Sequence, residues 1–312
     1  MNDATPQAAR SRSANPFDLN DISAYSVWRE HKLAHYPRDA GELKVELADL
    51  GAPTAVEKSA IVARCRRANM AVYATPKASA DSHAHGSRDA TRRAIRQFGS
   101  AFGLATMEKH RSSDDDGIVA IEVTQAEGKQ GFIPYTKRAI SWHTDGYYNA
   151  ANEAIDAMLL HCARPAREGG FNALLDQDIA YIRLRDTNPA LVAAMMHPEA
   201  MTIPESVEED GRVRPVSVGP VFIINGASLT MRYTARTRSI HWRDDADTRA
   251  AVALLDRLLA HEEEPLIIKY RMEAGEGLVC NNVLHTRTAF ENDDDAGRLL
   301  YRVRYRERIA GT

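Results

Sequence analysis

Ala157-Met-Leu-Leu-His-Cys162 and Phe171-Asn-Ala-Leu-Leu175, with Gly169-Gly170 between them, decide the fold of this chain. Each is a short apolar run, and the glycine pair supplies the turn that separates them. Ahead of them, Ile118-Val-Ala-Ile-Glu-Val-Thr124 reads as a strand that follows a surface turn at Asp114-Asp-Asp-Gly117. Behind them, Pro220 to Ile224 and Leu229 to Tyr233 pair around Asn225-Gly226, a hairpin signal. Leu266 to Tyr270, Gly277 to Val283 and Leu299 to Tyr305 continue the strand-rich second half.

Helical spacing predicts Thr54 to Met70, with Thr54 as N-cap, and Asp89 to Phe102, whose basic residues form a solvated face. Met70 to Ala74 is a short strand, and Asp18 to Pro37 is an ordered aromatic arm against the core. Asp178 to Arg185, Pro189 to Met196 and the amphipathic Asp245 to Leu259 are further helices. A Rossmann fold would alternate helix and strand and carry a glycine fingerprint, which is absent. The pattern is α+β and β-rich: an antiparallel jelly roll with flanking helices.

The 312 residues are 44% hydrophobic and 27% charged, ordinary for a globular protein. A net charge of -3 creates no field that would gather nucleic acid or a membrane surface. No run approaches the roughly 20 apolar residues of a bilayer span. Residues 1–15 read as a disordered polar leader without the apolar block of a secretory signal. Cys65, Cys162 and Cys280 are odd in number and lack CxxC spacing, which suits buried thiols in a reducing cytoplasm. The composition leaves a homo-oligomer open.

The chemistry concentrates in Ser141-Trp-His-Thr-Asp-Gly-Tyr-Tyr-Asn149. On a strand, His143 and Asp145 share a face and can grip one ion, with His285 arriving from a distant strand. Two neutral imidazoles and one carboxylate leave the opposite positions of an octahedral ion open, the ligand logic of a non-haem Fe(II) oxygenase. Arg298, thirteen residues past His285, is a bidentate donor suited to a carboxylate. The same three ligands also suit a zinc hydrolase or lyase, which needs a general base beside the metal. A catalytically idle jelly-roll binding protein is a third reading.

His-x-Asp, then a distant His, then Arg resembles the Fe(II)/2-oxoglutarate-dependent oxygenases of the taurine dioxygenase and gamma-butyrobetaine hydroxylase superfamily. Pro134 to Asp145, Gly169-Gly-Phe-Asn-Ala-Leu-Leu-Asp176, Asn282 to Phe290 and Gly297-Arg-Leu-Leu-Tyr-Arg302 carry the resemblance, which spans about Ile118 to the end. It implies a double-stranded β-helix over a single domain, residues 16–312, with an N-terminal helical region. It implies Fe(II) on His143, Asp145 and His285, and 2-oxoglutarate on Arg298, with O2 as oxidant and succinate and CO2 as products. Asn172 stands where the taurine enzyme has a threonine that contacts 2-oxoglutarate. Arg302 aligns with that enzyme's substrate-binding arginine, and a structural ion pair is the other reading. Asp145 fills the position that halogenases of the superfamily leave vacant, which favours hydroxylation.

Tyr147, Tyr148 and Asn149 read as walls of a substrate pocket, with core packing as the other reading. Met231 to Trp242 is either a recognition segment, with Arg232, Tyr233 and Arg236 facing the iron, or a solvated connection. His161, in an apolar strand, reads as a satisfied core histidine. Arg304 and Arg306 alternate with Val303 and Tyr305 and read as one solvated face. The expected substrate is a small polar molecule, acidic or zwitterionic.

Overall fold

A computed structural model describes residues 15–76, 88–108, 116–124, 132–207, 211, 213–261, 264–293 and 297–312. The leader therefore lies outside the described residues, except for Asn15, as do Asp114 and Asp115 of the surface turn. The first part of the chain forms α1 (Ile22–His35), β1 (Lys44–Glu46), α2 (Ala55–Ala68), β2 (Met70–Ala74), α3 (Arg88–Ala101) and β3 (Val119–Ile121). Next come β4 (Ile140–His143), β5 (Ala157–Arg164), β6 (Glu168–Gly169), β7 (Asn172–Leu175), α4 (Gln177–Thr187) and α5 (Pro189–Met195). Short strands follow: β8 (Met201–Ile203), β9 (Ser206–Val207), β10 (Val213–Arg214), β11 (Ser217–Gly219), β12 (Phe222–Asn225), β13 (Ser228–Met231) and β14 (His241–Trp242). The last third is α6 (Ala246–Ala260), β15 (Ile268–Tyr270), β16 (Glu276–Cys280), β17 (Leu284–Arg287), β18 (Phe290–Glu291) and β19 (Leu299–Tyr305).

The two apolar runs of the opening stretch enter different sheets. β5 lies inside a six-stranded sheet of order β1-β2-β16-β5-β19-β3, and β7 in a four-stranded sheet of order β15-β7-β17-β4. Gly169 and Gly170 both adopt φ of 70°, a left-handed conformation that carries the chain from one sheet to the other. A Cβ at Gly169 would sit 2.2 Å from the Ala289 carbonyl oxygen, so only glycine allows this approach.

Alternation along the six-stranded sheet separates two cores. Met158, Leu160, Cys162, Leu278, Cys280 and Leu300 share one apolar cluster with Leu174, Leu175 and Leu284 of the facing sheet. Leu159, Val279, Tyr301, Val303 and Tyr305 turn the other way, onto Ile61 and Cys65 of α2 and Ile95 and Phe98 of α3. Arg302 and Arg304 therefore fall on the inner face. The expectation of a solvated face is corrected here: Arg304 is 4% exposed, whereas Arg306 is half-exposed and pairs with Glu153. His161, on the outer face, is fully buried with Nδ1 3.2 Å from the Tyr73 hydroxyl.

The helices follow their sequence signals. Thr54 caps α2 in a reciprocal capping box with Glu57, worth about 1 kcal/mol. The aromatic arm is α1, and its Lys32 is buried in ion pairs, both at 2.6 Å, with Asp176 and Asp178 at the start of α4. α3 departs from expectation: Arg92 is buried, pairs with Asp116 at 2.7 Å and lies over the Tyr301 ring. The three cysteines are buried and unpaired. Among the described residues no helix is long and apolar enough to cross a membrane.

Candidate metal centre

His143 ends β4, and His285 lies directly opposite it on β17, so antiparallel pairing alone brings the two rings to a centroid distance of 4.2 Å. Asp145 lies beyond the end of β4, not on it. The extended geometry continues because the Thr144 amide donates to the Tyr233 carbonyl and the Ala235 amide to the Trp142 carbonyl. Thr144 Oγ1 also accepts from the Tyr233 amide, turning Thr144 to one side and its neighbours to the other. One ligand atom each from His143, Asp145 and His285 lies within 4.8 Å of the others.

The donor set is pre-oriented. His143 Nδ1 contacts the Ser141 carbonyl and His285 Nδ1 the Val283 carbonyl, each at 2.9 Å. A carbonyl only accepts, so both Nδ1 atoms carry the proton and both Nε2 lone pairs are free for a metal. Burial, reinforced by His285, pushes the His143 pKa down to about 3, so the ring is neutral at physiological pH. Asn282, in a left-handed backbone conformation, clamps the motif: Oδ1 accepts from the Asp145 amide at 2.8 Å, and Nδ2 donates to the Asp145 carbonyl at 3.0 Å.

The Asp145 carboxylate divides its oxygens. Oδ1 accepts from Arg302 at 3.2 Å and lies 3.6 Å from Arg304, while Oδ2 is buried with no hydrogen-bond partner. Burial alone would raise its pKa; Arg302 and then Arg304 outweigh it and hold the group well below the usual carboxylate range. Arg304 in turn forms an ion pair with Glu108 and donates to the Tyr148 hydroxyl at 3.0 Å. Asn149 donates to Glu108 Oε1 at 2.7 Å. Tyr148 and Asn149 thus brace the ligand carboxylate from behind.

Arg298 is 5% exposed and shares the Phe290 ring with Arg287, at 5.1 and 4.8 Å from the centroid. Arg287 donates to the carbonyls of Pro134, Thr136 and Arg138; the Arg298 guanidinium makes no hydrogen bond or ion pair among the described residues. Burial lowers the Arg298 pKa to about 10 and, with Arg298 beside it, the Arg287 pKa to about 9. A small cavity against Arg298 is lined by Gly169, Gly170, Cys162 and Leu300. Asn172, opposite Arg287 on β7, is buried with Nδ2 unpartnered. These are unpaired donors, and an anion with several acceptor oxygens matches them.

The recognition segment divides. Arg232 does not face the ligands: it donates to the carbonyls of Tyr147, Met201, Gly219 and Ser217, stapling the metal-motif loop to β8 and β11. Tyr233 is fully buried, and its hydroxyl donates to Asp256 of α6. Arg236 is exposed and lies over Tyr147, which meets the His143 ring edge-on at 6.5 Å. A small cleft adjoins the motif, lined by Gly146, Ile155, Gly219 and Arg232. Glu108, Arg287 and Arg214 escaped the sequence reading. Arg287 alone had a local signal, standing two residues past His285 on one strand.

No curated protein matches the chain. Among solved structures, it is similar to asparagine oxygenase in complex with Fe(II), 2S,3S-3-hydroxyasparagine and succinate: 17% identity, 82% of this chain and 81% of that one, TM-score 0.57. Non-haem iron oxygenase OrfP with Fe and alpha-ketoglutaric acid is similar at 16% identity, 83% and 86% coverage and TM-score 0.53. A taurine dioxygenase from Burkholderia xenovorans is similar at 18% identity, 86% and 88% coverage and TM-score 0.54. At such identities the likeness establishes the fold. The sequence model described as "Taurine catabolism dioxygenase TauD, TfdA family" matches residues 83–304, most of the chain, and the protein belongs to that family.

Proposed function

We propose that this Fe(II)- and 2-oxoglutarate-dependent dioxygenase holds its iron through His143 Nε2, His285 Nε2 and Asp145 Oδ2, and hydroxylates a small polar molecule, acidic or zwitterionic. The observation that carries the ligand assignment is the free Asp145 Oδ2 within 4.8 Å of two imidazoles whose Nδ1 atoms are already engaged. The two facing sheets form the double-stranded β-helix, and residues 16–312 form one domain. Arg298 anchors the distal carboxylate of 2-oxoglutarate, and Asn172 donates to the same co-substrate.

Bound iron supplies the site where O2 oxidises 2-oxoglutarate to succinate and CO2 while one oxygen atom enters a substrate C–H bond. The chain's own residues orient and shelter that reaction. Arg302 and Arg304 hold Asp145 Oδ1, directing Oδ2 to the metal and keeping the carboxylate ionised. Tyr147 stands beside His143 as a wall on the substrate side, limiting water. Among the described residues the zinc hydrolase reading lacks its base: Glu108 is tied to Arg304, and Asp145 is committed as a ligand. Anaerobic addition of Fe(II) and 2-oxoglutarate is expected to produce the weak visible metal-to-ligand charge-transfer band of this enzyme class; absence of the band in fully metallated protein would overturn the assignment.

A further inference from the structure

Two arginines at the outer edge of the metal group carry charge that no described side chain neutralises. The Arg236 Cζ lies 5.8 Å from the centroid of the Tyr147 ring. Arg214, on β10, lies at the same 5.8 Å from the Tyr148 ring, and the two tyrosines meet edge-on at 5.1 Å. Arg214 Nη2 donates to the Pro204 carbonyl at 2.8 Å, while its Nη1 is buried without a partner. Neither guanidinium makes an ion pair among the described residues. Three arginines that touch the motif are committed: Arg302 and Arg304 to Asp145 and Glu108, Arg232 to backbone carbonyls.

We propose that Arg214 and Arg236 form a two-armed clamp for an anionic group of the substrate, a carboxylate, sulfonate or phosphate, seated over the Tyr147–Tyr148 pair. Two planar guanidinium forks beside an edge-on pair of tyrosine rings match an oxyanion with several acceptor oxygens. The buried Arg214 Nη1 supplies a donor that is already desolvated, so an arriving oxygen replaces no protein partner. Tyr147 links the clamp to His143, which places the anion at the mouth and the rest of the molecule toward the ligands. The clamp's meaning as a specificity element rests on the oxygenase reading of the metal centre; the anion site does not.

The test is calorimetric titration of the full chain, loaded anaerobically with Fe(II) and saturating 2-oxoglutarate. The probes are propionate, methanesulfonate and inorganic phosphate, with propionamide as the neutral counterpart. At least one anion is expected to bind saturably and propionamide not to bind. Arg236→Gln and Arg214→Gln each weaken that anion by about tenfold, one charge-assisted contact apiece. The double variant abolishes binding. No binding by any anion, equal binding of propionamide, or an effect from only one of the two arginines overturns the clamp. Should Arg214→Gln not fold, the exposed Arg236 decides the case alone, with unchanged affinity as the contrary result. The charge-transfer band of the wild type reports the metal centre separately, so failure of the oxygenase reading and failure of the clamp are distinct outcomes.

Discussion

Two pairs of largely buried arginines lie near the candidate metal ligands, and they differ in one respect. Arg302 and Arg304, on the inner face of β19, meet two carboxylates, Asp145 and Glu108. Arg298 and Arg287, both packed against the Phe290 ring, meet none among the described residues. Buried charges need partners, because desolvating an ion costs several kcal/mol. A compensated pair therefore belongs to the protein's own architecture and fixes a ligand. An uncompensated pair calls for an anion that arrives, and under the proposed function a 2-oxoglutarate carboxylate would supply that charge.

The comparison breaks most completely at Asp145. Asp145→Ala removes a proposed metal ligand and the counter-charge of Arg302 and Arg304 together. Succinate formation is expected to vanish, and the fold to lose about 3–5 kcal/mol in urea denaturation. Retained activity would take Asp145 out of the metal site. Arg298→Leu is predicted to act on the other pair alone. The Kd for 2-oxoglutarate rises by about 100-fold, near 3 kcal/mol for two charge-assisted hydrogen bonds, with iron affinity unchanged. Its stability stays level or rises, since an uncompensated buried charge is lost. A large destabilisation would mean that the charge is paired after all.

Glu108→Gln sharpens the contrast from the compensated side. It loosens Arg304 and, through it, Asp145, so iron affinity is expected to fall by about tenfold, the scale of an outer-sphere partner, while 2-oxoglutarate affinity holds. A fall in co-substrate affinity instead would merge the two arginine pairs into one network. The smallest effect is assigned to Asn172→Ala. One neutral donor lost is about 1 kcal/mol, or roughly fivefold in the Kd for 2-oxoglutarate. No change would leave Asn172 as a packing residue of β7.

Much of this was legible from local pattern. Short apolar runs and turn signals marked β5, β16 and β19, and helical spacing after the Thr54 N-cap marked α2, because these signals depend only on near neighbours. The metal group was legible as well, since His-x-Asp spacing is a local constraint. Charged residues misled where burial depended on a distant partner. Arg304 looked like half of a solvated face until the facing sheet, Glu108 and Tyr148 enclosed it. Arg232 and Tyr233 looked aimed at the ligands, yet carbonyls of β8 and β11 claim one and Asp256 the other. The segment Gly146 to Asn149 proved divided, with Tyr147 toward the ligands and Tyr148 and Asn149 behind Asp145.

By itself, then, the sequence determined which residue types stand ready for iron and a keto acid, and that a strand-rich scaffold would carry them, because spacing and side-chain chemistry are properties of the chain alone. Tertiary structure decided which charges are neutralised. The partners of Asp145 lie far off in the chain, Arg298 and Arg214 have no ion-pair partner among the described residues, and only the closing of one sheet over another reveals which of these guanidiniums are compensated.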